Sequence, residues 1–264
     1  MNNIKKLIKQ ILPQFFIGYF TSFFYGWKGN YSSWDKAREK STGYDSGIIL
    51  KKVKESCLNV RDGLAVYERD SVLFDQAEYS YPILSSLLWI AAQNKGVLNV
   101  LDFGGALGST YFQNKKFIQN LISVKWCIVE QPNFVKTGKE CFEDDNLKFY
   151  FSIDECLNNE KVDVILLSSV LQYIEKPYEL LDKIKSTHLK YILFDRTPFV
   201  NTEDRITIQK VHPKIYKAKY PCWFFNKQKF LSYFEDDYEL IHQFNALDHA
   251  NIKSEFKGFL FQKL

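Results

Sequence analysis

Long hydrophobic runs, clustered metal ligands and a strong charge excess are all missing from this 264-residue chain. A membrane-spanning helix needs about 20 consecutive apolar residues. The best candidate, ILPQFFIGYFTSFFYGW at 11–27, is interrupted by Pro13, Gln14 and Gly18. No small-residue cleavage site follows it, so a signal peptide is not expected either. The five cysteines (Cys57, Cys127, Cys141, Cys156, Cys222) form no CxxC pair, and the four histidines are dispersed. That pattern excludes a disulfide framework and a zinc site; it predicts reduced thiols, a cytoplasmic location and no metal. Net charge is only +4. Lys5, Lys6, Lys9 and Lys28, in a stretch without acids, account for the whole excess, so no nucleic-acid groove is expected.

Regular alternation begins near residue 82. Pro82 opens a helical run, ILSSLLWIAAQN, which ends near Gly96. VLNVLDF is continuously apolar, as a strand buried on both faces should be. KWCIVE, LKFYFS, VDVILLSS and KYILFD repeat the pattern, with helical periods between them. Asn133 is read as capping one of these helices, and Pro177 as the first residue of another. After a long link at 196–225, Asn226 caps a helix, and YELIHQF and FKGFLFQKL follow close together. Some ten residues between them leave no room for a crossover helix, so they should pair antiparallel. Five parallel strands and a terminal antiparallel hairpin predict an α/β fold of the class I methyltransferase, Rossmann-like kind with an N-terminal helical extension, rather than a six-parallel-strand dinucleotide fold. The division expected is an N-terminal arm and lid at 1–95 and a core at 96–264, with 196–225 as an insertion on the acceptor side.

The turn after the first strand reads Asp102-Phe103-Gly104-Gly105-Ala106-Leu107-Gly108. A nucleotide P-loop needs a lysine that this turn lacks, and neither frame supplies G-x-G-x-x-G. The turn fits acidic-x-G-x-G-x-G with Ala106 in place of the middle glycine. A carboxylate at the entrance of the loop disfavours a pyrophosphate and suits a sulfonium cofactor bearing an ammonium, S-adenosylmethionine. Glu130 ends the second strand, where an acid accepts hydrogen bonds from ribose hydroxyls. Ser152 and Asp154 follow the third strand, at the expected adenine position, although Asp154 equally suits a helix cap. Ser168 and Ser169 end the fourth strand, facing the methionine end of the cofactor.

From Trp27 onward the chain resembles a family of S-adenosylmethionine-dependent methyltransferases encoded in bacterial gene clusters for lipopolysaccharide and capsule. The motifs that carry the resemblance are GWKGNYSSWDKA, STGYDS, VRDGLAVYERDSVLFD, YSYP, LDFGGALGSTYFQN, VEQPNFV, LLSSVLQYIEKPY, FDRTPF, YPCWFF and KGFLF. The resemblance implies methyl transfer to an acceptor that it does not name, and a hydroxyl of a sugar or sugar-linked precursor is the expectation.

For a hydroxyl acceptor a base should take the proton, and Asp195, at the end of the fifth strand, is the candidate. Arg196 beside it would either hold Asp195 ionised or bind an acidic acceptor such as a phosphate or sugar carboxylate. A plain ion pair is the alternative. Tyr173 is a candidate for the methyl-donor pocket. Glu68, Arg69 and Asp70 lie in a charged, aromatic stretch read as a lid, and Tyr220 and Trp223, in the long link, as a wall against the acceptor. Residues 1–27 combine lysines with aromatics, so peripheral contact with an anionic membrane is one expectation and packing on the protein's own core the other. Two rival functions remain open at this level: a nicotinamide-dependent sugar-modifying enzyme, and a non-catalytic methyltransferase-like module docked at a membrane assembly.

Overall fold

Apolar residues at consecutive strand positions need cover on both sides of a sheet, and this chain supplies it with two sets of helices. The structure, a computed structural model, describes residues 25–42, 46–65, 67–69, 72–74, 80–213, 215 and 217–264. The strands at its centre are β4 (Val97–Phe103), β5 (Ser123–Val129), β6 (Leu147–Tyr150), β7 (Val164–Ser168) and β8 (Tyr191–Val200), all parallel. Because side chains alternate across a strand, Val100, Ile128 and Leu166 join one core layer. Leu101, Cys127 and Ile165 join the other.

The first layer is closed by four helices, α2 (Ser46–Arg61), α3 (Tyr81–Gln93), α4 (Ser109–Ile118) and α5 (Pro132–Cys141). The second is closed by α6 (Ile153–Asn159), α7 (Pro177–Ser186) and α8 (Lys227–Ser232). Much of the aromatic content is spent in that second layer. Phe194, Phe199, Phe230, Phe234, Phe259 and Phe261 meet mainly edge to face, at centroid distances such as 5.0 Å for Phe199–Phe230. Pro82 and Pro177 sit in the first turns of their helices, and the Asn226 side chain accepts from Lys229 N at 2.7 Å. Asn133 is not a cap: α5 begins one residue earlier, at Pro132, with Gln131 at the N-cap.

The terminal strands β11 (Tyr238–Asn245) and β12 (Glu255–Lys263) form the expected antiparallel hairpin, and β12 lies antiparallel to β8. The order β6-β5-β4-β7-β8-β12-β11 is the class I methyltransferase, Rossmann-like arrangement.

The link at 196–225, expected as an insertion on the acceptor side, carries strands of its own. β8 continues through it to Val200, and β9 (Arg205–Lys210) and β10 (Lys219–Asn226) form an antiparallel pair. Past the end of β7, the last residues of β10 take its place beside β8, with Phe225 opposite Phe199. The N-terminal strand β1 (Gly26–Tyr31) then adds to β9, and α1 (Trp34–Glu39) packs on the result. A small antiparallel sheet, β1-β9-β10, therefore stands above the carboxyl ends of the parallel strands. Its sequence contributions are more than 170 residues apart. A short hairpin of β2 (Tyr67–Arg69) and β3 (Val72–Phe74) precedes α3. Among the described residues no helix is long and apolar enough to cross a membrane. The arm at 1–24, Asp70, Tyr216 and the side chain of Arg69 lie outside the described residues.

Candidate active site

Ligands of open α/β sheets bind beyond the carboxyl ends of the strands, where the strand order reverses. Here that point lies between β4 and β7, and a cleft of about 770 Å³ opens over it.

One end of the cleft is built by the turn after β4. Gly104 and Gly108 have φ of +74° and +102°, a region that favours glycine. A Cβ on Gly104 would drive into Val170, and one on Gly105 would lie 2.5 Å from the Asp102 carboxylate. Ala106 adopts the left-handed conformation too, with φ +52°, so the turn keeps its shape despite the missing middle glycine. For an L-residue that conformation costs about 1–2 kcal/mol. Gly108 does not line the cleft; it caps α4, and a Cβ there would press on Phe112.

Asp102 lies beneath this turn, only 1% exposed, and its Oδ2 accepts from Trp126 Nε1 at 3.0 Å. Burial pushes its carboxyl up to about 7, against the lowering effect of the indole N–H. Asp102 thus shapes the loop from below, by requiring glycine at 105. Glu130 also lines the cleft. Its Oε2 accepts from Gln131 N at 2.6 Å, which fixes it at the end of β5. A carboxylate offers about four lone-pair sites, which leaves capacity for hydroxyl donors. Burial raises its carboxyl above the ordinary range.

Two of the expected adenine contacts are elsewhere. Ser152 caps α6 by accepting from Glu155 N at 3.1 Å. Asp154 is exposed and paired with Lys183 at 2.6 Å. Neither lines the cleft. Phe151, one residue earlier and 46% exposed, does, together with Gln131 and Pro132. An exposed phenylalanine directly after a buried strand is the signal that would have found it.

Glu68, on β2, is buried and reaches the first turn of α4, where the Ser109 hydroxyl donates to its Oε1. The Cys57 thiol lies 3.6 Å from the same oxygen, and burial together with Glu68 raises that thiol well above its usual range. Glu68 and Ser109 both line the cleft.

The other end is organised by β7 and β8. Ser168 Oγ donates to Asp195 Oδ2 at 2.9 Å, and Asp195 Oδ1 is buried without a partner. Desolvation pushes the Asp195 carboxyl up to about 6; Arg196 and the Ser168 hydroxyl act the other way. Adjacent residues of a regular strand face opposite sides, yet Asp195 and Arg196 both line the cleft. A β-bulge explains this. The β8–β12 register shifts between Lys257 and Phe259, and Arg196 takes φ +53°. Gly258 permits the bulge, since a Cβ there would lie 2.7 Å from the Phe194 carbonyl oxygen and strike the Phe244 ring. Gln172 braces the same corner from η1 (Leu171–Tyr173), donating from Nε2 to Ser169 Oγ and to the Arg196 carbonyl, each at 3.2 Å. Ser169, at φ +55°, lines the cleft with Ser168.

Arg196 does not fork onto Asp195. Its Nε and Nη2 bind the two oxygens of Asp248, in the β11–β12 loop, at 2.7 and 3.2 Å. Tyr173 donates to Gln209 Oε1 at 2.7 Å and meets Tyr220 edge to face at 5.2 Å; all three line the cleft. Trp223 does not. It stacks on Trp34 at 6.0 Å and donates to the Ile174 carbonyl, anchoring α1 on the cap. Trp27, Trp34 and Arg38, which no motif singled out as site residues, complete this wall.

No family model matches the sequence, and no curated protein matches it. Among solved structures the chain is similar to an S-adenosylmethionine-dependent methyltransferase from Clostridium acetobutylicum, at 13% identity over 70% of this chain and 93% of that one, with a TM-score of 0.47. It is similar to the N-methyltransferase NodS from Bradyrhizobium japonicum, solved with S-adenosylhomocysteine, at 12% identity, 72% and 89% coverage and a TM-score of 0.44. The 1,6-didemethyltoxoflavin-N1-methyltransferase of Burkholderia thailandensis gives 12% identity, 84% and 91% coverage and a TM-score of 0.44. At these levels no correspondence of individual residues follows.

Proposed function

We propose that the protein is an S-adenosylmethionine-dependent methyltransferase that methylates a hydroxyl of a sugar or sugar-linked precursor of a bacterial surface polysaccharide. The observation that carries this reading is the pairing of two features in one cleft. They are a glycine turn whose Cβ positions are blocked, and a buried carboxylate with one oxygen unpartnered. The lining fits the cofactor: the turn at 104–106 allows close backbone approach, Glu130 has acceptor capacity for ribose hydroxyls, Phe151 offers an aromatic face, and carboxylates complement a cation.

Bound there, S-adenosylmethionine supplies a methyl carbon, whose transfer forms one C–O bond, leaves the S–C electron pair on sulfur and releases the hydroxyl proton. Asp195 Oδ1 is the acceptor for that proton. Ser168 holds the other carboxylate oxygen, which fixes the direction in which Oδ1 points. Gln172 and the bulge at Arg196 hold the strand end that carries it. The cap sheet stands over the cleft, where it would shield the reacting atoms from water.

Calorimetry with S-adenosylmethionine and S-adenosylhomocysteine tests the reading. Binding is expected in the wild type and binding weaker by about tenfold or more in Gly105→Ala; absence of binding in the wild type rejects the reading. Peripheral membrane contact through residues 1–27 belongs to the same proposal. It rests on Lys5, Lys6 and Lys9 among aromatics and is tested by flotation with anionic against neutral vesicles.

A further inference from the structure

The charges that line the cleft are unequal. Among the described lining residues there are five carboxylates, Glu68, Asp102, Glu130, Asp195 and Asp248, against two guanidiniums, Arg38 and Arg196. Both guanidiniums are already engaged. Arg196 is forked onto Asp248, with both partners largely shielded. Arg38 is 62% exposed at the rim, where it meets Asp35 at 2.6 Å and Glu175 at 3.5 Å. A bidentate arginine–carboxylate pair is among the stronger polar contacts a protein makes, and removing one partner leaves the other charge poorly solvated. An anionic ligand would have to break that fork and then sit among lining groups in which acids outnumber bases.

The free hydrogen-bonding capacity points the same way. Asp195 is 4% exposed, lines the cleft, and has Oδ1 without a donor. It needs a ligand that donates, such as a hydroxyl or an amine, and would repel one that brings another carboxylate or a phosphate. The wall opposite is aromatic, with Trp27, Trp34 and Tyr220, and Gln209 stands among them. Apolar ring faces bounded by polar edges suit a pyranose.

We propose that the methyl acceptor is an uncharged or amine-bearing sugar ring, and that hexuronates, sugar phosphates and nucleoside-diphosphate sugars are discriminated against by the Arg196–Asp248 pair. The inference rests on the methyltransferase reading above and narrows it. It also reverses the expectation that Arg196 binds an acidic acceptor: Asp248 fills that role from within the chain.

The test uses the full chain loaded with S-adenosylhomocysteine and a panel matched in ring: galactose, galactosamine, galacturonate, galactose 1-phosphate and UDP-galactose. Affinities are read by saturation-transfer NMR at one ionic strength. Galactose and galactosamine are expected to bind at least tenfold more tightly than each anionic member. In Asp248→Asn, which removes the carboxylate charge paired with Arg196, galacturonate is expected to gain at least tenfold relative to galactose. An anionic member equal to or tighter than galactose, or a panel without differences, overturns the inference. So does an Asp248→Asn variant that retains cofactor affinity and shows no relative gain. Calorimetry with S-adenosylhomocysteine is run first. If it fails, the methyltransferase reading falls by itself, and the same affinity ratios are measured on the unloaded protein to judge the acceptor class separately.

Discussion

The two ends of the cleft are made differently. The glycine-loop end is assembled mainly from the stretch β4, its turn, α4 and the adjacent end of β5, with Glu68 from β2 and Phe151 after β6 added to it. Its carboxylates Asp102 and Glu130 each have a donor, the Trp126 indole and the Gln131 amide. The β8 end gathers β1, α1, η1, β8, β9, β10 and the β11–β12 loop, and its key carboxylate has an oxygen unpartnered. One end holds its carboxylates in fixed positions and leaves Glu130 acceptor capacity, which suits a fixed ligand common to many chemistries. The other leaves capacity open, which suits a reacting group. Binding and proton transfer should therefore be separable by mutation.

The largest effect should come from Asp195→Asn. The variant keeps the Ser168 contact but cannot take a proton. Methyl transfer should fall about 10²–10⁴-fold, the usual weight of a general base. S-adenosylhomocysteine affinity should change by less than about threefold, since binding energy resides at the other end. An equal loss in both would erase the proposed division.

Gly105→Ala should do the reverse. The added methyl meets the Asp102 carboxylate at 2.5 Å under a turn with no slack. Cofactor affinity should fall by about tenfold or more, or about 1.4 kcal/mol, with an overpacking cost of about 1–3 kcal/mol in stability. Calorimetry and thermal unfolding read the two separately.

The two ends should also titrate with opposite consequences. Asp195 must be ionised to act, and its carboxyl is pushed up to about 6 among Arg196, Asp248 and Ser168, so transfer should rise as pH increases through about 6. Asp102 is raised to about 7, whereas in the unfolded chain it ionises near 3.8. Between those values the folded state binds more protons than the unfolded one, so this group's contribution to stability declines as pH rises from about 4 to about 7. Asp102→Asn should flatten that slope in melting curves taken at pH 5 and pH 8, and an unchanged slope would remove the buried carboxylate from the account.

The smallest effect expected is that of Ala106→Gly. Relief of the left-handed strain, about 1–2 kcal/mol, is opposed by the greater freedom of glycine in the unfolded chain, about 0.4–1 kcal/mol. A slight rise in melting temperature with cofactor affinity retained is the outcome to check. A large loss would mean that the Ala106 methyl makes a contact the ligand needs.

Local signals carried most of the fold. Buried parallel strands read as unbroken apolar runs because both faces are covered, and the short gap between the last two strands allowed only a hairpin. The glycine turn was legible for the same reason: positive φ at Gly104 and Gly108 is a demand made within a few residues. Ser152 and Asp154 were misplaced because a polar pair after a strand serves equally as helix cap and as ligand contact, and only the position of Lys183 and the Glu155 amide separates the two. Trp223 was misplaced because the face it presents depends on Trp34, almost two hundred residues earlier.

By itself, then, the sequence determined the five parallel strands with the helices between them, the terminal hairpin and the glycine turn, all consequences of backbone sterics and of periodicity over short spans. Only the tertiary structure decided that β1 completes a cap over the cleft, that Gly258 admits the bulge turning Asp195 and Arg196 to one side, and that Arg196 answers to Asp248. Those outcomes depend on which distant side chains share a low-dielectric space, where an unpaired charge is costly and a partner from any part of the chain will serve.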